Sequence, residues 1–247
     1  MKPELERFYV ELYRDLPRCG PGSVQTVRKA YKYLENLPVP PRILDIGAGT
    51  GRSAIELVKL SKGKIMAIDI IQGFLDEIDH KAEKLGLRRN IHTQKMSMDD
   101  LKFEEESFDV IWSEGSIYLM GFQAGLEYWK KFVKKGGYLV VSNMVWYSKN
   151  PPGEARNYWM GEYPDMKTHE QAVALIERSG YELITHFKLD SKEDFWENYY
   201  IPVSQKAASL KKKQEMRKFI DLMIEIEQEI EIFKKYHEIY GYMMYVM

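Results

Sequence analysis

Apolar and polar positions change rhythm near residue 42. Before it, two stretches, roughly Glu4–Leu16 and Ser23–Leu34, carry apolar residues at helical spacing, and the turn-rich Cys19-Gly20-Pro21-Gly22-Ser23 separates them. Pro38, Pro40 and Pro41 end the second helix, because proline lacks the amide donor and restricts the residue before it. From Arg42 onward, short apolar runs bounded by turns alternate with amphipathic segments. Ile43–Ile46, Ile65–Ile70, Ile91–Lys95, Val110–Trp112 and Tyr138–Ser142 read as buried parallel strands. Ser53–Leu60, Phe74–Leu85 and Ala124–Val133 read as helices between them. Thr168–Ser179 is a further helix, with Thr168 and Gln171 as a capping-box pair and Gly180 as its stop. Tyr181–Leu189 reads as another strand.

Val203–Tyr240 differs: it is charged, amphipathic and free of proline and glycine. As one helix its roughly 38 residues would run about 57 Å, longer than a chain of this size is wide, which predicts a break. Tyr242–Val246 is apolar and aromatic enough for a last strand, so the long segment is an insertion between the final two strands. The alternation as a whole predicts a mostly parallel sheet with helices on both faces.

Composition narrows the function classes. The formal net charge over 247 residues is -1, so nothing drives the chain as a whole toward nucleic acid or an anionic membrane. Cys19 is the only cysteine, which excludes an internal disulfide and a cysteine-based zinc cluster within one chain. Met1–Tyr13 carries Glu4, Glu6 and Glu11 and does not read as a signal peptide, and no apolar run approaches the ~20 residues of a membrane span. A reducing, cytoplasmic setting is expected. Inside the insertion, basic residues from Lys206 to Lys218 precede Glu225, Glu227, Glu229 and Glu231, an order that opposes the helix dipole. The basic half reads either as a solvated helical face or as an attractor of an anionic substrate.

The segment that carries chemistry is Ile43-Leu44-Asp45-Ile46-Gly47-Ala48-Gly49-Thr50-Gly51, a strand running into a turn with glycine at every second position. Such glycines let a backbone approach a ligand closely. A dinucleotide fingerprint would put its third glycine at position 52, which is Arg52. Asp45 stands two residues before the first glycine, where a pyrophosphate gains nothing and a cationic amino-acid moiety gains a counter-charge. Asp69 ends the next strand 18 residues beyond Gly51, the place from which an acid takes ribose hydroxyls, or else caps the helix that follows.

Leu44–Gly51, Ala67–Asp69, Ser97-Met98-Asp99-Asp100-Leu101, Phe108–Trp112 and Lys135–Leu139 resemble, in order and spacing, the successive motifs of class I S-adenosylmethionine-dependent methyltransferases. The Cys19–Ser23 turn, Trp112–Tyr118, Tyr163-Pro164 and Tyr199–Pro202 are similar to a little-characterised branch acting on small molecules. The resemblance implies a Rossmann-like α/β fold of seven strands in the order 3-2-1-4-5-7-6, the last antiparallel. It implies one domain over 1–247: a helical cap at 1–40, a cofactor-binding core at 41–143, a substrate-side region at 144–202, the insertion at 203–240 and a final strand at 241–247. It implies S-adenosylmethionine held by Asp45, Gly47, Ala48 and Gly49 at the methionine end and by Asp69, Ile70 and Phe74 at the ribose and adenine. Ser97, Met98 and Asp99 would border the adenine, with Gly22, Ser23 and Ser113 completing the shell. No metal is implied, and the partner is a small-molecule acceptor, with the chain a monomer or homodimer and no nucleic acid involved. A binder of the cofactor without activity of its own is the alternative.

Methyl transfer from a sulfonium is a direct displacement that works by alignment and desolvation, with a base only where the nucleophile must lose a proton. Glu114 and Tyr118, which follow the fourth strand, are the candidates beside the methyl; the other readings are a capping carboxylate and a packing aromatic. Trp146, Tyr163, Tyr199 and Tyr200 are expected to line the acceptor pocket, within a wider aromatic set that could instead pack the inserted helices onto the sheet.

Overall fold

A computed structural model describes residues 1–247. The strands are β1 (Arg42–Ile46), β2 (Lys64–Asp69), β3 (Ile91–Lys95), β4 (Phe108–Glu114), β5 (Val133–Trp146), β6 (Thr185–Lys188) and β7 (Tyr240–Val246). They form one sheet in the order β3-β2-β1-β4-β5-β7-β6, as expected from sequence. β7 runs antiparallel to both of its neighbours, and the pairs from β3 to β5 are parallel. Side chains alternate between the faces: Ile43, Val110 and Trp112 join one apolar cluster, while Leu44, Ile46 and Ile111 join a second on the other side. Both faces are covered, which is why these strands read as continuous apolar runs.

The helices are α1 (Pro3–Tyr13), α2 (Val24–Tyr31), α3 (Arg52–Ser61), α4 (Gln72–Lys84), α5 (Phe122–Lys130), α6 (Gly153–Glu162), α7 (His169–Arg178), α8 (Ile201–Lys211) and α9 (Ile220–Tyr236). Ser23 caps α2 by accepting from the Thr26 amide, and Thr168 with Gln171 closes the anticipated capping box on α7. No helix is long and apolar enough to cross a membrane.

Three elements depart from the sequence reading. β5 is longer than Tyr138–Ser142, because the Gly136-Gly137 turn, with Gly136 at φ +72°, is absorbed as an irregularity opposite Phe108–Val110. The strand expected over Tyr181–Leu189 contracts to Thr185–Lys188 at the sheet edge. α6 was not anticipated, since Pro151-Pro152 obscures a helix that begins directly after them.

The insertion breaks as its length required, at Lys212-Lys213, followed by a 3₁₀ turn over Gln214–Phe219. It also begins earlier than expected, with a π-helical stretch Ser191–Tyr200 whose start is capped by Asp190. The break folds the basic half back, so that Lys211 on α8 meets Glu227 on α9 at 2.6 Å, while Lys218 reaches Glu4 on α1 at 2.8 Å. Lys211, Lys213 and Lys218 thus face acids of the same chain, while Lys206 donates to the Arg14 carbonyl. Exposed pairs of this kind contribute well under about 1 kcal/mol each, and apolar packing holds the insertion. Phe195 stacks on Phe233 at 4.5 Å between centroids, and Trp146 and Trp159 meet Tyr240 edge-on at 5.9 and 5.2 Å.

One buried carboxylate fastens the π-helical stretch to the N-terminal region. Asp194, 3% exposed, accepts from the Thr26 hydroxyl and from the Asp190 amide, both at 2.7 Å, and its carbonyl accepts from the Gly22 amide at 3.0 Å. Asp194→Ala strands the Thr26 hydroxyl and the Asp190 amide and is expected to lower the unfolding free energy by about 2 kcal/mol. Denaturant titration checks this, and a loss below ~0.5 kcal/mol, the range of an ordinary surface change, would show that the tie contributes little.

Candidate active site

The glycine turn is built by backbone geometry. Gly47, Gly49 and Gly51 have φ of +68°, +52° and +83°, values that penalise other residues. A Cβ on Gly47 would stand 2.5 Å from the Ser116 hydroxyl. The amides of Gly47 and Ala48 both donate to the Ile68 carbonyl at 3.0 Å, which locks the turn to the end of β2. Asp69 completes the lock: one carboxylate oxygen accepts from the Gly49 amide at 2.9 Å and the other from the Ile71 amide at 3.0 Å. Asp69 therefore lines the cavity and braces the turn into α4, whose N-cap is Ile71 without a side-chain cap. Burial raises its pKa.

Above this turn lies a cavity of about 650 Å³, open on one side. Asp45, Gly47, Ala48, Gly49, Asp69 and Ile70 line it, as do Phe74 and Met98. At its inner end Asp45 is 2% exposed, and its Oδ2 has no hydrogen-bond partner. Burial, and after it the neighbouring Glu114 charge, push its pKa up to about 8. Beside it, Arg18 is 7% exposed and its Nη1 is also without a partner. An unmatched carboxylate oxygen and an unmatched guanidinium nitrogen in one recess have the charges to receive an ammonium and a carboxylate, the two ends of an amino acid.

Glu114 also lines this end, held by three donors: Arg18 Nη2 at 2.6 Å, Ser53 Oγ at 2.7 Å and Trp112 Nε1 at 2.7 Å. Both of its oxygens are engaged by donors, and it anchors Arg18. Tyr118 lines the same cavity farther along, 5.4 Å from the Tyr163 ring, and burial raises its pKa to about 12. It stays protonated near neutrality.

Several expected residues stand outside the wall. Gly22 and Ser23 cap α2 and meet the π-helical stretch; Arg18, Cys19, Gly20 and Pro21 of the same turn line the cavity in their place. Ser97 and Asp99 bond to each other, while Met96 and Met98, the alternate positions, face inward. Ser113 is fully buried, donating to the Ile46 carbonyl at 3.0 Å and meeting the Ser116 hydroxyl at 2.7 Å, so Ser116 is the serine at the wall. Trp146 and Tyr200 pack in the core, the latter donating to Glu229 at 2.8 Å, whereas Tyr163 and Tyr199 line a side chamber of the cavity.

Sequence reasoning missed Arg18, Ser116 and the acids Glu162, Glu225 and Glu229. The spacing of Glu225 and Glu229, one helical turn apart, was the only local sign that they share a face. α1, α6 and α9, together with the π-helical stretch, all reach over the cavity, through Tyr13, Tyr158, Tyr199 and Glu229 among others. The pairing of α1 with the core is direct: the Gln72 amide at the start of α4 donates to Glu6 at 2.9 Å.

Residues 43–137 match the family described as a methyltransferase domain. The sarcosine/dimethylglycine N-methyltransferase of Aphanothece halophytica is 29% identical over 133 residues, 53% of this chain and 48% of that protein. The chain spans about half the length of that relative or less of several others it matches. Among solved structures, the S-adenosylmethionine-dependent methyltransferase of Geobacter sulfurreducens in complex with S-adenosyl-L-homocysteine superposes with a TM-score of 0.82 at 16% identity, covering 97% of this chain and 96% of that one. YjhP from E. coli superposes with a TM-score of 0.80 at 18% identity, covering 97% and 98%. Both resemblances in fold extend over the helices above the cavity as well as the sheet. Sheet order and matched segment agree: residues 43–137 carry the methyltransferase-domain match, and the chain as a whole has the fold of the S-adenosylmethionine-dependent methyltransferase of Geobacter sulfurreducens.

Proposed function

We propose that the protein transfers the methyl group of S-adenosylmethionine to a small-molecule acceptor, chiefly by aligning the two and excluding water. The observation that carries this is the single cavity running from the unmatched Asp45–Arg18 recess, past Gly115 and Tyr118, to a chamber beneath the helices. The cofactor, when bound, supplies an electrophilic methyl on sulfonium. Asp45 and Arg18 would hold its ammonium and carboxylate, Asp69 its ribose hydroxyls, and Ile70, Phe74, Met96 and Met98 its adenine. Gly115, at φ +63°, leaves room beside the methyl, and Tyr118 borders it. The helices above would keep water from the reacting centre, where desolvation strengthens every polar contact. Cys19, free and pushed up to about 12 by burial, takes no part as a thiolate and fits a reducing cytoplasm.

S-adenosylhomocysteine is expected to bind in the micromolar range, about -8 kcal/mol. Gly49→Val puts a branched side chain where Cβ already meets Cys19 Sγ at 3.1 Å and forces φ +52° on a β-branched residue. Affinity should fall at least thirtyfold there and in Asp69→Ala, with circular dichroism unchanged. Full-strength binding in both folded variants would refute the site.

Asp45 gives a proton signature. With a pKa raised to about 8, it holds its proton at neutral pH until a cation arrives. This raised value stabilises the free fold below the ordinary carboxylate range and is lost as pH rises through about 8. Ligand uptake at pH 7 should therefore release close to one proton, measurable by calorimetry in buffers of different ionisation heat. Asp45→Asn should abolish the release.

Because Glu114 anchors Arg18, its loss is expected to act on fold and affinity. Glu114→Ala leaves Arg18 as an unpaired buried charge and should cost about 3 kcal/mol of stability, together with cofactor affinity. A stable variant with intact binding and impaired turnover would restore the base assignment.

A further inference from the structure

Beyond the point where Tyr118 borders the main cavity, a side chamber of about 180 Å³ opens under α6, α9 and the π-helical stretch. Its walls share one chemical character. Glu162 and Glu229 are its only charged residues, and none of its 14 lining residues is Lys, Arg or His. Tyr118, Tyr158, Tyr199 and Tyr242 supply aromatic wall around those acids. Of the two arginines that line the main cavity, Arg18 is already paired with Glu114 at 2.6 Å, and Arg52 does not line the chamber.

We infer that this chamber binds the acceptor as an amine, its cationic nitrogen enclosed by the tyrosines and countered by Glu229 and Glu162. The inference rests on the methyl-transfer reading and names the acceptor class for the same site. Two independent observations carry it. Glu229 stands in an aromatic-walled space with Glu162 at its exposed rim, and aromatic faces attract ammonium ions through their quadrupole. Tyr242 is 4% exposed, with its hydroxyl 3.7 Å from where a Cβ on Gly115 would stand, so a buried polar group points into the chamber beside the methyl's expected place. A carboxylate or phosphate acceptor would meet only like charge here.

Glu229 has the capacity to receive a proton. Tyr200 donates to its Oε1 at 2.8 Å, which fixes the side chain in the chamber wall and leaves Oε2 outside that bond. Burial raises its pKa to about 6, a value suited to a general base near neutrality. An acceptor arriving as a protonated amine gives its N–H proton to the Glu229 carboxylate and so exposes the nitrogen lone pair. The N–C bond then forms as the methyl–sulfur bond breaks, with the bonding pair left on sulfur. Positive charge passes from sulfur to nitrogen, and the proton leaves Glu229 for solvent.

The test separates charge from shape and needs no turnover. Protein saturated with S-adenosylhomocysteine is titrated with choline and with 3,3-dimethylbutan-1-ol, its neutral carbon isostere, following tyrosine and tryptophan fluorescence. Choline should bind at least tenfold more tightly than the alcohol. Glu229→Gln should erase most of that preference, while its affinity for S-adenosylhomocysteine stays within threefold of the unmodified protein. Equal affinities for the pair, no binding of either, or an unchanged preference in Glu229→Gln would overturn the inference. Failure of the unmodified protein to bind S-adenosylhomocysteine at all would overturn both this and the methyltransferase reading, and it is seen before choline is added.

Discussion

The contact between Arg18 and Glu114 holds together parts of the molecule that share no other reason to meet. Removing two charges from water is expensive, and the attraction between them compensates only when geometry is good and the remaining hydrogen-bonding positions are satisfied. Here Ser53 from α3 and Trp112 from β4 complete the carboxylate, so the N-terminal turn, the helix after the glycines and the fourth strand converge on one group. What is left unsatisfied, Nη1 of Arg18 and Oδ2 of Asp45, points to the place where a ligand would complete the set. The position of this recess also orders the rest of the cavity, whose lining runs on from it to Gly115 and Tyr118.

How much of this could be read from the chain depended on how local the cause was. The turn at Gly47–Gly51 and the acids at the ends of β1 and β2 are determined within a few residues, by positive φ and strand direction, and they stand where the sequence placed them. Periodicity showed the elements, and their order in the sheet followed from the resemblance alone. Errors arose where a neighbour distant in sequence decides. Ser113 and Ser116 are equally plausible as a pair, and only the Ile46 carbonyl behind Ser113 determines which one faces the cavity. Ser97 and Met98 differ by one position, and the Trp129 indole, donating to the Met98 carbonyl at 2.9 Å, holds the loop that selects between them. Glu229 was hidden for another reason. Four glutamates in one charged helix look alike until the other side of that helix is known.

The insertion illustrates how packing overrides local preference. A basic-then-acidic segment is a poor helix by its own dipole. Broken at Lys212-Lys213 and folded back, the same order puts opposite charges face to face and turns the apolar side of α9 toward β7. Aromatic side chains that seemed candidates for the pocket divide accordingly. Trp146 and Phe195 belong to the packing between insertion and sheet, while Tyr158 and Tyr199 reach the ligand space.

The sheet order has a consequence for biosynthesis. β7 lies between β5 and β6, yet it comes after both in the chain. Until it is made, the 14-residue β5 presents a long open edge, and β6 has no partner at all. An uncovered edge of that length is a template for wrong pairing with another chain, and contacts of such sequence separation are slow to close. The fold is thus open to misassembly from the completion of β5 until one short apolar strand, close to the last residue of the chain, joins β5 to β6.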